Sequence, residues 1–337
     1  MPRIIACLIG FALLLGGAAP ASAARGDFPD DHPPAGVLGE LVHATGDVML
    51  SYRYGHVDQE GLLDGRERAS TAETFALGYK SAPQEATEDV HLFEAMWSPL
   101  EELTLVLALP FVVKEMELLS QVTGERYSTR ASGFGDISLS SLYHVYETSR
   151  SRVHLNLGLS FPTGSTNTND ITPYSNGMRE RLPYSMQLGT GTVDLTAGFT
   201  YSGHWKSNTW GSQILGIVRA GTNTRGYSQG NAYSLTGWFG RRWVSWLHTS
   251  FRLDWRQWFD PNGVDSRLDA TESPAHDPDL QSGRRLDALF GVDLYPGGEL
   301  LRGASLAIEA GLPVYQHLDG PQLRTRWLLT FAIQYAF

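Results

Sequence analysis

The sequence predicts an all-β fold, a single transmembrane antiparallel β-barrel of about twelve strands with both termini periplasmic. Three observations carry that prediction. Large apolar residues recur at every second position in runs of about ten residues, the length a tilted strand needs to cross hydrocarbon. The apolar faces end in aromatic rings such as Tyr143, Phe161, Tyr201, Trp255, Tyr295 and Trp327, side chains that favour the headgroup level of a bilayer. Successive connections alternate between long and short, as in barrels with long loops at one end and tight turns at the other.

The chain begins with a targeting signature. Arg3, an apolar stretch from Ile4 to Leu15, and small residues at Ala21-Ser22-Ala23 read as a signal peptide over residues 1–23. The apolar core is too short for a membrane-spanning helix. Cys7 is the single cysteine and lies inside this segment, so the mature chain can form neither an internal disulfide nor a thiolate metal cluster. It carries 36 Asp and Glu against 25 Lys and Arg, a balance that argues against binding nucleic acid. Residues 24–45 contain Asp30, Asp31, His32, Pro33, Pro34 and His43 and are expected to form a periplasmic arm or a plug in the lumen. With His56 added, the spacing of these imidazoles and carboxylates fits no compact metal site, and no cofactor is expected.

The barrel domain is expected over residues 46–337. Its strands read as 47–54, 90–97, 102–113, 135–146, 152–161, 192–202, 210–219, 231–239, 247–257, 284–295, 304–314 and 325–337. The last is the clearest: Trp327, Leu329, Phe331, Ile333, Tyr335 and Phe337 alternate with small or polar residues. Elsewhere the opposite face is wet, as in Asp136-Ser138-Ser140, His154-Asn156-Ser160 and Arg252-Asp254-Arg256. That contrast requires lipid on one side and water or a polar lumen on the other. Around Gln213-Ile214-Leu215-Gly216-Ile217 the phase fits either face. Connections after the odd strands are long (55–89, 114–134, 162–191, 220–230, 258–283, 315–324), and those after the even strands are mostly short and turn-rich, such as Ser98-Pro99-Leu100-Glu101. A closed ring leaves no unpaired backbone in lipid, so an open sheet is rejected.

Four segments resemble one family: Ser132-Gly133-Phe134-Gly135-Asp136, Leu159-Ser160-Phe161-Pro162-Thr163-Gly164-Ser165, the stretch 187–195, and the stretch 313–323. They are similar to the bacterial outer-membrane transporter family grouped with the meta-pathway phenol-degradation proteins, and more distantly to the outer-membrane fatty-acid and aromatic-hydrocarbon channels. The resemblance implies a Gram-negative outer-membrane location and passage of small, often apolar or aromatic, compounds. Phe331, Ile333, Tyr335 and Phe337 look like the C-terminal signal read by the barrel-assembly machinery. The expected partners are outer-membrane lipid and lipopolysaccharide, that machinery, and a small-molecule solute.

The candidate lumen residues are Arg252, Asp254, Arg256, Arg285, Asp287, Asp293, Glu309 and Arg326, on the inner faces of the last four strands. Opposite charges there either pair across the ladder and fill the interior or form a constriction that orders small polar solutes. Twelve strands enclose less than a porin does, so any passage is narrow or gated. One rival is a closed structural or adhesive barrel that binds partners through its loops. Another is an outer-membrane phospholipase, suggested by His248-Thr249-Ser250. Thr249, Phe251, Leu253 and Trp255 claim the lipid face, which turns His248 and Ser250 inward, and Asn156 belongs to a distant strand and also points inward, so no enzyme activity is expected. The loop 258–283, with Asp260, Asp265, Asp269, Glu272, Asp277 and Asp279, lacks the spacing of a calcium loop and reads as a solvated acidic loop. Glycines 133, 135, 164, 189 and 191 precede no helix, which excludes a nucleotide fingerprint and leaves close backbone approach as their role.

Overall fold

A computed structural model describes residues 33–39, 43–297, 301 and 303–337; the expected signal peptide lies outside them. The wall is built from eleven strand elements: β1 (Val48–Gly65), β2 (Ser81–Leu100), β3 (Leu103–Ser120), β4 (Ile137–Glu147), β5 (Ser151–Phe161), β6 (Val193–Trp205), β7 (Asn208–Ala220), β8 (Ala232–Val244), β9 (Leu247–Trp258), β10 (Gly283–Leu294) and β11 (Ala304–Ala336). Each pairs antiparallel with the next, and β11 pairs with β1, which closes the ring. An all-antiparallel ring closes only with an even number of passes, and β11 supplies the extra one. Its residues 306–318 pair with β10 and its residues 318–336 return along β1, so it turns back near Gly320, whose φ is +91°. The expected strands 304–314 and 325–337 are therefore the two halves of one continuous element.

The wall separates two environments. Leu107, Leu139, Leu157, Phe199, Phe251 and Leu312 are exposed on the outside, while Ser51, Arg53, Glu94, Thr104, Asn156, Thr200 and Glu309 are buried inside. In β7 the ambiguity resolves with Gln213 inward and Ile214 outward. No described helix is long and apolar enough to cross a membrane.

Strands β1 to β3 run 18, 20 and 18 residues, against 11 to 13 for β4 to β10. The expected loops 55–89 and 114–134 are thus largely strand, a correction with a physical cause. Above the apolar belt the outer face of an extended hairpin no longer meets lipid; in Lys114-Glu115-Met116-Glu117-Leu118 the apolar residues turn inward, so the outward apolar phase that identifies lipid-facing strands is lost there. The short strand Arg126–Phe134 pairs with the upper part of β3, and β4 pairs with its lower part. The break falls opposite Pro110, which has no N–H to give to the ladder; its carbonyl accepts from Gly135 N at 2.9 Å.

Connections at one end are tight, as at Glu101-Glu102, Lys206-Ser207 and Ser245-Trp246, and the start of β1 and Phe337 lie at this turn end, where Phe337 N donates to Val48 O. The loop end is covered. Leu182 and Met186 from the loop after β5 are buried in one apolar cluster with Leu62, Ala86, Met116, Leu118, Ala131 and Leu323 of the rim, and Ala275 from the loop after β9 packs against it. Arg181 and Asp265 form a buried ion pair between these two loops.

Candidate functional site: a strapped lumen

The inner faces of β9, β10 and β11 bring most of the predicted charges together. Arg252 grips Glu309 through a two-pronged contact, Nε to Oε1 at 2.9 Å and Nη2 to Oε2 at 2.8 Å, the geometry that suits a guanidinium against a carboxylate. Its Nη1 stands 3.2 Å from Asp254, which also accepts from Arg256 Nε at 2.8 Å. Arg285 holds Asp287 two positions on, with Nε 2.9 Å from Oδ1. Asp293 sits 2.7 Å from His248 Nδ1. Glu309 is completely buried, and Arg252, Asp254, Arg285, Asp287 and Asp293 are buried with it; Arg256 is half exposed towards the loop end.

Arg326 departs from this set. Register slips by one residue between Asp58 and Gln59, leaving Arg326 as the extra residue of a bulge. Its side chain pairs with Asp58 at 2.9 Å and with Glu60. Asp58 lies opposite Trp327 on the lipid side of the wall, so Arg326 belongs to the outer surface rather than the lumen. Strict alternation, the assumption behind its expected place, fails at a bulge.

The interior is crossed by the chain's own N-terminal segment. Gly36 N donates to Glu309 Oε2 at 3.0 Å. The next three carbonyls then accept from three separate walls. Arg53 Nη1 of β1 reaches Val37 O at 2.7 Å, Gln213 Nε2 of β7 reaches Leu38 O at 2.9 Å, and Asn156 Nδ2 of β5 reaches Gly39 O at 2.6 Å, with His154 Nε2 3.1 Å from the same oxygen. Thr200 bridges the last two walls, donating to Asn156 Oδ1 and accepting from Gln213 Nε2, each at 2.9 Å. Farther on, His43 N donates to Thr104 Oγ1 at 3.1 Å. A backbone strap inside a barrel must satisfy its own N–H and C=O groups, since none of them belongs to a ladder; here charged and amide side chains do so. Val37 and Ala35 are buried. A Cβ on Gly36 would run into the ends of the Arg252 and Glu309 side chains, so a larger residue there would have to push this ion pair aside.

Sequence reasoning missed Arg53, Gln213 and Thr200 as partners of the strap, and placed His154 and Asn156 on the polar inner face without assigning them a partner. Arg53 carries a legible signal, a lone charge on the inward phase of β1 between Ser51 and Gly55. The residues of the phospholipase rival do point inward, but His248 spends Nδ1 on Asp293 and Nε2 on Thr209 at 3.2 Å, while Ser250 Oγ is buried without a hydrogen-bond partner. No hydrogen bond joins the histidine to the serine. Among the described residues no group of three or more His, Cys, Asp or Glu comes together as a metal site.

The glycine-rich segments hold the loop end. Asp136 accepts from Gly164 N at 2.7 Å, Thr190 N at 2.8 Å and Thr190 Oγ1 at 2.9 Å, pinning both ends of the loop after β5 to the rim. A Cβ on Gly164 would stand 2.8 Å from Gly189 Cα, so these two backbones pack directly on one another. In the loop after β9 the acidic residues are not simply solvated. Glu272 is buried; desolvation, with Glu180 and Asp269 nearby, pushes its carboxyl up to about 7. Burial pushes His276 down to about 4. Asp269, by contrast, is held down to about 2 by its hydrogen bonds with Lys80 and Thr271.

Asp136 ties together three of the four segments whose resemblance was read from the sequence, 132–136, 159–165 and 187–195. The family described as "Putative MetA-pathway of phenol degradation" matches residues 84–251. That is the family the chain resembles. Among solved structures, an outer-membrane channel from Pseudomonas putida F1 is 12% identical, with a TM-score of 0.62, covering 88% of this chain and 97% of its own. The transport unit of the Escherichia coli autotransporter AIDA-I (10% identity, TM-score 0.47, 89% and 93% covered) and the P. putida toluene transporter TodX (9%, 0.45, 88% and 91%) are also similar. No curated protein matches in sequence. The shared feature is the outer-membrane β-barrel fold.

Proposed function

We propose that the chain is a Gram-negative outer-membrane channel for small apolar or aromatic compounds, closed at rest by its own N-terminal segment. The observation that carries this reading is the strap: Val37, Leu38 and Gly39 hang by their carbonyls from side chains of three walls, a closure that can be withdrawn without breaking the ring. A barrel sealed for a purely structural role needs only side chains to fill it. The tight turns and the start of the first strand share one end, which supports a periplasmic position for both termini. The strap then enters the lumen from the periplasm. Phe331, Ile333, Tyr335 and Phe337, on the returning half of β11, stand as the signal for the assembly machinery. The family's description and the outer-membrane channel that shares the fold support the location and the solute class.

The test is conductance in a planar bilayer together with phenol flux into liposomes, for the full mature chain and for a chain lacking residues 24–45. The channel reading expects a low or intermittent current from the full chain and a stable one from the shortened chain. Absence of current and flux from both, with the barrel folded, would leave the closed structural barrel in its place.

A further inference from the structure

The turn end carries one arc whose chemistry differs from the rest of the rim. From the turn between β4 and β5 to that between β8 and β9 the rim presents Arg150, Lys206 and Arg241; residues 148–151, 204–209 and 241–249 contain no Asp or Glu, and Glu147, the last residue of β4, is held by Arg152 at 3.0 Å. Across the ring the turn between β2 and β3 is Glu101-Glu102. Two of the cations are seated on indole rings: Lys206 Nζ lies 4.8 Å from the centre of Trp205, and the Arg241 guanidinium lies 4.8 Å from the centre of Trp243. Asn208 pairs with both Trp205 and Arg241, so the two cation and ring pairs are neighbours. Trp205 and Trp243 are 50% and 59% exposed, just beyond the outward-facing Phe239 and Phe251.

Lys206 adds an independent observation. Its φ is +57°, and Asn176 is the other described non-glycine residue with positive φ. Glycine or asparagine would suit this two-residue turn without strain, so the side chain at 206 is kept against the backbone's preference. What lysine supplies and those residues do not is a positive charge at the depth of the headgroups.

We propose that this arc binds the phosphate of an anionic phospholipid headgroup, the indoles lying among the upper acyl carbons and Lys206 and Arg241 facing the phosphate. Interfacial tryptophans and nearby cations suit that boundary. The inference rests on the reading above only in taking the turn end as the phospholipid leaflet; it requires neither channel activity nor a mobile strap.

The experiment titrates full-length mature protein in neutral detergent with dibrominated phosphatidylglycerol or dibrominated phosphatidylcholine and follows quenching of tryptophan fluorescence. The native protein should reach half-quenching at an about fivefold lower concentration of the anionic lipid. The pair Lys206→Gly and Arg241→Gln should bring the two lipids within about twofold. Lys206→Gly relieves the backbone and leaves every tryptophan in place, so folding and readout survive. The loop-end pair Arg126→Gln and Arg130→Gln should keep the native preference. Equal quenching of the native protein by both lipids, a preference that persists in the turn-end pair, or a preference lost in the loop-end pair would each overturn the proposal. Failure here would leave conductance untouched, and failure of the channel reading would leave this preference untouched.

Discussion

The middle of the lumen and the loop end are both closed, by opposite means. At the waist, buried charges neutralise one another in two groups, Arg252 with Glu309 and Asp254, and Arg53 with Glu94 at 3.3 Å, and Glu309 and Arg53 hold the backbone of the strap. At the loop end, Leu182 and Met186 are folded into the mouth against rim leucines and methionines, with Asp136 and the Arg181–Asp265 pair fixing the loops that carry them. A polar closure is specific in register and expensive to leave half made. An apolar closure tolerates substitution and loosens in proportion to the area it loses.

The sharpest way to break that contrast is at the waist. Glu309→Ala leaves Arg252 buried without its two-pronged partner and frees Gly36 N, and the barrel should lose about 3–5 kcal/mol against urea unfolding. A loss below about 1 kcal/mol would mean that water enters the waist freely.

At the loop end Asp136→Ala removes three hydrogen bonds and should cost about 2–3 kcal/mol. The effect should be confined to residues 162–192, read as faster amide exchange there with the wall strands unchanged.

Smaller still is the acid-dependent part of the cap. Glu272 has a folded pKa raised to about 7, so its contribution is fully present below its ordinary value near 4.5 and is lost as pH rises through about 7. His276 is lowered to about 4, so its contribution is present above about 6.5 and is lost as pH falls through about 4. Glu272→Gln should therefore tighten the cap at pH 8 by about 1–2 kcal/mol, after allowance for partial solvent screening, and change nothing below pH 4. Protease sensitivity of the loop 259–282 across that range checks both limits, and the native strap contacts should not respond.

The comparison also marks what the sequence could reveal. Where one face meets hydrocarbon, as in Leu155-Leu157-Leu159 or Phe331-Ile333-Tyr335, alternation is a direct consequence of two solvents, and the strands are legible. Above the belt, at Glu85 or Glu117, the outer face is polar while Ala86, Met116 and Leu118 turn inward under the cap, so the lipid-facing phase is absent and the long hairpins read as loops. The waist charges were legible as inward-facing residues because they fall in phase with the apolar alternation around them; Arg326 was not, because a bulge shifts its phase. The strap was the hardest to see. Residues 33–39 have no periodicity, and their partners Arg53, Asn156 and Gln213 come from three strands far apart in sequence, so only the closed ring brings them together.

Cys7 is the single cysteine of the chain and lies far from residues 33–39 in the segment expected to be cleaved, which permits a direct test of the strap. Leu38 and Gln213 are replaced by cysteines and joined by a short cleavable thiol crosslinker, and single-channel current is recorded before and after cleavage. A lumen closed by residues 33–39 predicts silence while the link is intact and recurrent openings once it is cut. Openings of the same size and frequency in both states would contradict it.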